Sequence, residues 1–268
     1  MGEALETFLV WKGAAVAAWL VLLFLAERLL PAAPERVPAA PGVAGGRWRR
    51  WLRNVGLWAV NVWLSPLVVV PISALAADVA PAWRPEWWGG WTGLALDVLL
   101  LDFWIYWWHR ANHEVPLLWR FHEVHHLDGF LDTTSAIRFH FGEVLISAGV
   151  RAVVIIALDV PIGSVLVFEA LVLMAAIFHH SNLRLPPALE RGLARVVITP
   201  SIHWVHHHDR RADTDSNYGT IFSFWDPIFG TRSATRRTPD MTIGVERGRE
   251  RPFAQLLLRP FQSAAARR

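Results

Sequence analysis

The chain has 268 residues, of which 53% are hydrophobic and sixteen are tryptophan, with a mean hydropathy of +0.30. That is more apolar than a soluble domain of this length needs for its core, so an integral membrane protein is expected. No cysteine is present, which excludes disulfides, thiolate metal sites and iron–sulfur clusters and leaves nitrogen and oxygen as the only protein ligands for a metal. The net charge of +3 suits contact with anionic lipid or an acidic partner. No nucleic-acid-binding motif accompanies it.

The N-terminus, MGEALETFLVWK, has two glutamates before its only lysine and so lacks the basic start of a secretory signal. A retained anchor is expected instead, formed by the uncharged stretch from Gly13 to Ala26 with flanking charges at Lys12, Glu27 and Arg28. Residues 31–46, rich in Pro, Ala and Gly, read as a connector that ends in the basic run RWRRWLR, Arg47 to Arg53. Val55 to Ala77 carries no charge and predicts a second span, interrupted by Pro66 and Pro71. A third apolar segment, Trp91 to Trp108, holds Asp97 and Asp102 and runs into the first histidines. Val144 to Phe178 is too long for one span and short for two, which predicts a helical hairpin turning near Pro161.

These readings give an all-α integral membrane protein with about four transmembrane helices, one hairpin among them, and a helical histidine-rich cap. Three parts are expected: residues 1–90 as N-terminal helices and connector, 91–231 as the domain that carries the histidines, and 232–268 as a basic tail. The connector carries Arg36, Arg47, Arg49, Arg50 and Arg53, against Arg84 alone in the 78–91 loop. This asymmetry puts the connector, and with it the histidines, on the cytoplasmic side, and the lack of any organelle signal suits a bacterial inner membrane.

All twelve histidines lie between positions 109 and 208. His109 and His113 are four apart, His122, His125 and His126 form H-x2-H-H, and His203, His206 and His207 repeat it, with His208 adjoining. On a helix, residues at i, i+3 and i+4 share a face, so each group can aim its imidazoles at one centre. Many neutral imidazoles packed together leave donors and acceptors competing for partners, a cost that metal binding removes. One ion takes four to six ligands, so this number of histidines implies two. Imidazole accepts iron, zinc, copper or nickel, and spacing alone does not choose among them.

Several segments together resemble the fatty acid hydroxylase/sterol desaturase family: DFWIYWWHRANH, FHEVHHLD, the R-x-H of Arg138 and His140, FHHSN at 178–182, TPSIHWVHHH at 199–208, DSNYG at 215–219 and WDPIFGT at 225–231. The resemblance covers roughly residues 98–231. It implies a membrane-bound non-haem di-iron oxygenase that hydroxylates or desaturates a lipid, using O2 and electrons from a separate ferredoxin or cytochrome with its reductase. The ligands it implies are His109, His113, His122, His125, His126, His140, His180, His203, His206 and His207, with His179 and His208 left over. The eight histidines of the H-x3-H and the two H-x2-H-H groups are the expected catalytic set, and zinc can replace iron in purified protein. One departure stands out: after R-x-H the family often has proline, where this chain has Phe141-Gly142.

Carboxylates near the clusters, Asp102, Asp209, Asp213 and Asp215, are expected to accept N–H bonds from ligating histidines, with solvated loop charge the equal alternative for Asp209 and Asp213. Glu169 and the tryptophans at 104, 107 and 108 are candidates for the wall of a lipid channel, and the arginines after residue 231 for contact with an acidic donor. An alternative from another reaction class is a membrane zinc hydrolase acting through metal-bound hydroxide. It calls for an H-E-x-x-H arrangement, which the chain lacks. A haem or metal carrier would leave most of the histidines unexplained.

Overall fold

The computed structural model describes residues 2–34 and 46–262. The middle of the connector, including Arg36, and the last six residues lie outside them. Among the described residues there are helices and isolated bridges but no β-strand.

Helix α1 spans Gly2–Leu29. Helix α2, Gly46–Leu64, passes through a π-helical turn at Ser65–Val69 into α3, Val70–Asp78. This turn is how the second apolar segment tolerates its prolines. Pro66 and Pro71 are each the second residue of a segment, beside the change in backbone hydrogen-bond register, and the Val70 N–H bonds to Ser65 O across the wider turn. Helix α4 is Gly90–Glu114 and α5 is Pro116–His126. The hairpin consists of α6, Phe141–Leu158, and α7, Ile162–His180. It turns at Asp159, a left-handed residue with φ 53°, followed by Pro161, which precedes the first residue of α7.

Four helical stretches are long and apolar enough to cross a membrane: Val10–Leu29, the continuous Gly46–Asp78, α6 and α7. Their outer faces expose Val21, Leu22, Trp63, Leu67, Leu75 and Val153, as lipid contact requires. Helix α4, read from sequence as a span, is not one of the four. Asp97 and Asp102 give it a polar face that is wholly buried: Asp97 pairs with Arg84 at 2.7 Å, and Asp102 accepts the N–H groups of Ile221 and Phe222 and of the Trp225 indole.

The basic run at 47–53 also departs from expectation, because it forms the first turns of α2 rather than the end of a loop. Arg50, Arg53, Asn54 and Leu57 share one helix face and point inward. Arg50 bonds to Asp128 at 2.7 Å and to Asp132, and Asn54 to Asp128 at 3.0 Å. Buried guanidinium groups need such partners, which the segment after α5 supplies.

Helix α1 packs on α7, α3 on α6, and α4 on both α5 and α7. Phe168, Leu101, Ile155 and Ala76 join the hairpin to α3 and α4. Three short helices, α8 (Pro187–Leu193), α9 (Pro200–His206) and α10 (Arg211–Thr214), lie beyond α7, and α11 (Trp225–Ile228) follows. The last helix, α12 (Phe253–Leu258), returns along α2 and α5, with Leu256 packed on Leu57, Val124 and Leu127. Arg259 closes this strap with a bidentate contact to Glu123 of α5, at 2.9 and 2.8 Å.

Candidate metal centre

Four helix ends converge here: those of α4, α5 and α9 carry histidines on the face that the i, i+3, i+4 spacing selects, and that of α7 adds the adjacent His179 and His180. One group comprises His109 and His113 of α4, His122 and His126 of α5, and His206 of α9. The other comprises His125, His180, His203 and His207. Within each group the ligand atoms lie within 4.8 Å of one another. Nine of the ten histidines singled out in the sequence are thus brought together.

The rings are oriented from behind. His109 Nδ1–H donates to Tyr218 O at 2.8 Å, His125 to Arg138 O at 3.0 Å, His180 to Ala176 O at 2.8 Å and His206 to Ser216 O at 2.6 Å. His122 Nδ1 lies 2.8 Å from Glu143 Oε1. A carbonyl only accepts, so each of the first four rings carries its proton on Nδ1 and turns a bare Nε2 lone pair inward. Several of these lone pairs face no donor: Nε2 of His109 and His206 has no hydrogen-bond partner although buried, and Nε2 of His125 and His180 face each other at 3.0 Å. Two lone pairs at that separation repel unless a cation lies between them. The donor set therefore fits divalent metal with imidazole ligands, in two groups.

Burial and the mutual repulsion of charged imidazoles keep the cluster neutral, the form that ligates metal. Desolvation is the main cause at His125, His126, His203 and His207, all held well below the ordinary histidine value, and at His206, which falls to about 3.

The sequence-derived motifs supply the supports. Asp226, from WDPIFGT, accepts the N–H groups of Tyr218 and Gly219 at 2.7 and 3.0 Å, which fixes the Tyr218 carbonyl behind His109. Asn217, from DSNYG, takes a left-handed φ of 53° to make that turn. Asp128, from HHLD, holds Ser135 at 2.8 Å and so the loop that delivers the Arg138 carbonyl to His125.

His140 lies apart from both groups. Its Nδ1 accepts the Gly142 N–H at 2.9 Å, capping α6, and its Nε2–H donates to Leu257 O at 3.0 Å, so both nitrogens are committed. Gly142 is required there, since a Cβ would come within 2.5 Å of the Phe121 ring and 3.0 Å of His140 Nδ1. His179, left over in the sequence reading, is buried with neither nitrogen partnered, and its ring centroid is 3.9 Å from that of His203. His208 instead bonds to Asp213 at 2.8 Å. Asp102 holds the 221–225 segment rather than a histidine. Asp215 does approach a ring, 3.4 Å from His113 Nδ1. Glu143 was missed in the sequence; its one signal was a lone carboxylate in the first turn of an apolar helix.

A cavity of about 340 Å³ opens onto the cluster. His109, His122, His125 and His180 form one end, and Ile105, Trp108, Phe139, Phe168 and Val172 supply much of the apolar wall. Glu169 reaches the same cavity, whereas Trp104 packs in the core and Trp107 is exposed.

Comparison with known proteins agrees with this geometry. The chain is 28% identical over 196 residues to the ornithine lipid hydroxylase OlsE of Rhizobium tropici, covering 73% of this chain and 58% of that protein. It is 31% identical over 154 residues to human alkylglycerol monooxygenase, 57% of this chain and 32% of the relative. A cholesterol 25-hydroxylase-like protein of Danio rerio is 32% identical over 178 residues, 63% of this chain and 66% of that one. The chain thus spans between a third and two thirds of the length of these relatives. No solved structure matches it. The family model for fatty acid hydroxylase matches residues 94–231, just over half of the chain, which contains both histidine groups and their supports; the chain belongs to the fatty acid hydroxylase family.

Proposed function

We propose that this protein is a membrane-bound oxygenase that inserts oxygen into, or desaturates, a C–H bond of a lipid, with two iron ions held by its histidines. The observation that carries this reading is the coincidence of two imidazole groups with the end wall of an apolar cavity of lipid dimensions. His109, His113, His122, His126 and His206 would hold one ion. His125, His180, His203 and His207 would hold the other, with the unpartnered His179 placed to join them.

When bound, the metal pair supplies activation of O2 at a strength sufficient to remove hydrogen from an unactivated carbon. For hydroxylation the balance is one lipid C–H, one O2, two electrons and two protons giving an alcohol and water, so a separate carrier such as a ferredoxin or a cytochrome with its reductase must deliver electrons. The chain's own residues position and exclude. The carbonyls behind His109, His125, His180 and His206 hold the lone pairs inward, and Glu143 does the same for His122. Phe139, Phe168 and Val172 keep water from the reacting carbon.

The proposed setting is a bacterial inner membrane with the cluster on the cytoplasmic face, the side of the connector, since Glu27 and Arg50 at the connector ends of α1 and α2 bond to Thr133 and Asp128 beside the cluster. Arg50 and Arg53 do not count toward this orientation, since their charges are paired inside the protein. Arg36, Arg47 and Arg49 still outnumber Arg84. The reading is tested by incubating iron-loaded protein with lipid extract, a reductant and 18O2. A lipid product carrying 18O, or one lacking two hydrogens, supports it, and no oxidised lipid under any supplied donor contradicts it.

A further inference from the structure

The cavity has a second polar end. Arg151 of α6 and Glu169 of α7 line it and pair at 2.9 Å, with Arg151 also 3.4 Å from Ser73 Oγ of α3. Both lie near the middle of membrane-crossing helices, where ionised side chains are costly. A clamp between α6, α7 and α3 needs no charges, since an apolar pair of similar volume usually stabilises as well. The pair is also incompletely used by the protein: Arg151 Nε has no partner, and the Glu169 side chain is 28% exposed.

Its position relative to the histidines is set by helix geometry. On α6, Val144, Ser147 and Arg151 follow one another along the cavity face from Glu143, which touches His122. On α7, Glu169, Val172, Ala176 and His180 form the matching stripe. Eight residues of α6 and eleven of α7 separate the pair from the cluster, a distance of about 12 to 16 Å at 1.5 Å per residue.

We propose that Arg151 and Glu169 form a binding subsite for a hydroxyl group on the lipid substrate, fixing which carbon lies at the histidine cluster. A hydroxyl matches the pair because it donates its O–H to the Glu169 carboxylate and accepts from the Arg151 guanidinium. The pair is neutral overall and so favours a neutral polar group over an anion or a cation. Between the two ends the wall is largely apolar and suits a hydrocarbon chain or ring system. The proposal rests on the cavity being the lipid site and adds what that lipid carries and where.

The test is equilibrium binding of radiolabelled 1-hexadecanol and hexadecane to the purified, metal-stripped full chain in detergent, which needs no turnover. The alcohol is expected to bind about tenfold more tightly than the alkane, the effect of one hydrogen bond to a charged partner. Replacing the pair by Arg151→Leu with Glu169→Leu should abolish that preference and leave hexadecane affinity unchanged. Should the double variant not fold, the isosteric Glu169→Gln is expected to cut the preference at least threefold. Equal affinities in the wild type, or a preference that survives these substitutions, would overturn the subsite while leaving the lipid cavity intact. Failure of both ligands to bind would overturn the subsite together with the reading of the cavity as a lipid site.

Discussion

His125 and His180 turn their Nε2 atoms toward each other at 3.0 Å while each commits its N–H to a carbonyl on the opposite side, Arg138 O and Ala176 O respectively. Similar close approaches link His180 with His203 and His203 with His207, at 3.0 and 3.1 Å. A cation held among these rings would satisfy lone pairs that otherwise face one another. Chelation should therefore lower the melting temperature in detergent, and returning Fe2+ should restore it. At a thousandfold excess of metal over Kd the gain is about 4 kcal/mol. A melting temperature indifferent to chelator would argue that the cage closes without metal.

His140 and His203 are both in the ligand set the resemblance implies, but only His203 joins a histidine group, and the two give a sharp contrast. His140→Ala removes a helix cap and should cost about 1 kcal/mol of stability while leaving metal content unchanged. His203→Ala opens the second group and should remove about half of the bound metal. Elemental analysis of both variants, beside their melting temperatures, checks this. Loss of metal in the His140 variant would restore that residue to the ligand set.

Glu143 touches only His122 among the histidines of the centre, yet it orients that ring. Glu143→Ala is expected to weaken metal retention by about 10- to 100-fold, measured by competition with a chelator of known affinity. An unaltered retention would mean that His122 is held by the helix alone.

Acid should act on the metal-free protein through the cluster. His125, His126, His203 and His207 are held well below 6.5 and His206 falls to about 3. Below pH 6.5 the unfolded chain takes up protons that the folded cluster refuses, so stability falls as pH drops from about 6.5 toward 3. Each such histidine contributes up to about 1.4 kcal/mol per pH unit. Thermal melts of stripped protein between pH 7.5 and 5 should show this decline, and metal-loaded protein should hold its melting temperature further into acid. A flat profile for the stripped protein would show that the cluster is already hydrated.

The clustering of histidines was legible because helical periodicity converts i, i+3 and i+4 into a shared face, and the hairpin because Asp159-Val160-Pro161 interrupts an apolar run. Residues whose partners lie far away in sequence were not legible. Arg50 read as a membrane-surface charge because its acceptors, Asp128 and Asp132, are about eighty positions on. Asp102 read as a support for histidine because its true partners, Ile221, Phe222 and Trp225, return more than a hundred residues later. The same long-range pairing buries the charges of α4, whose own composition keeps it out of the helices apolar enough to span. His140 shares its residue type with the clustered histidines, and only the Gly142 N–H and the Leu257 carbonyl, the latter brought back by the C-terminal strap, show that its nitrogens are engaged elsewhere.

Whether the histidines form two metal sites is read from the stoichiometry of iron per chain in protein purified from iron-supplemented cells. Two irons per chain, falling to about one in the His203→Ala protein, is the predicted result. One iron or fewer per wild-type chain after full reconstitution, with no other metal making up the difference, would contradict it.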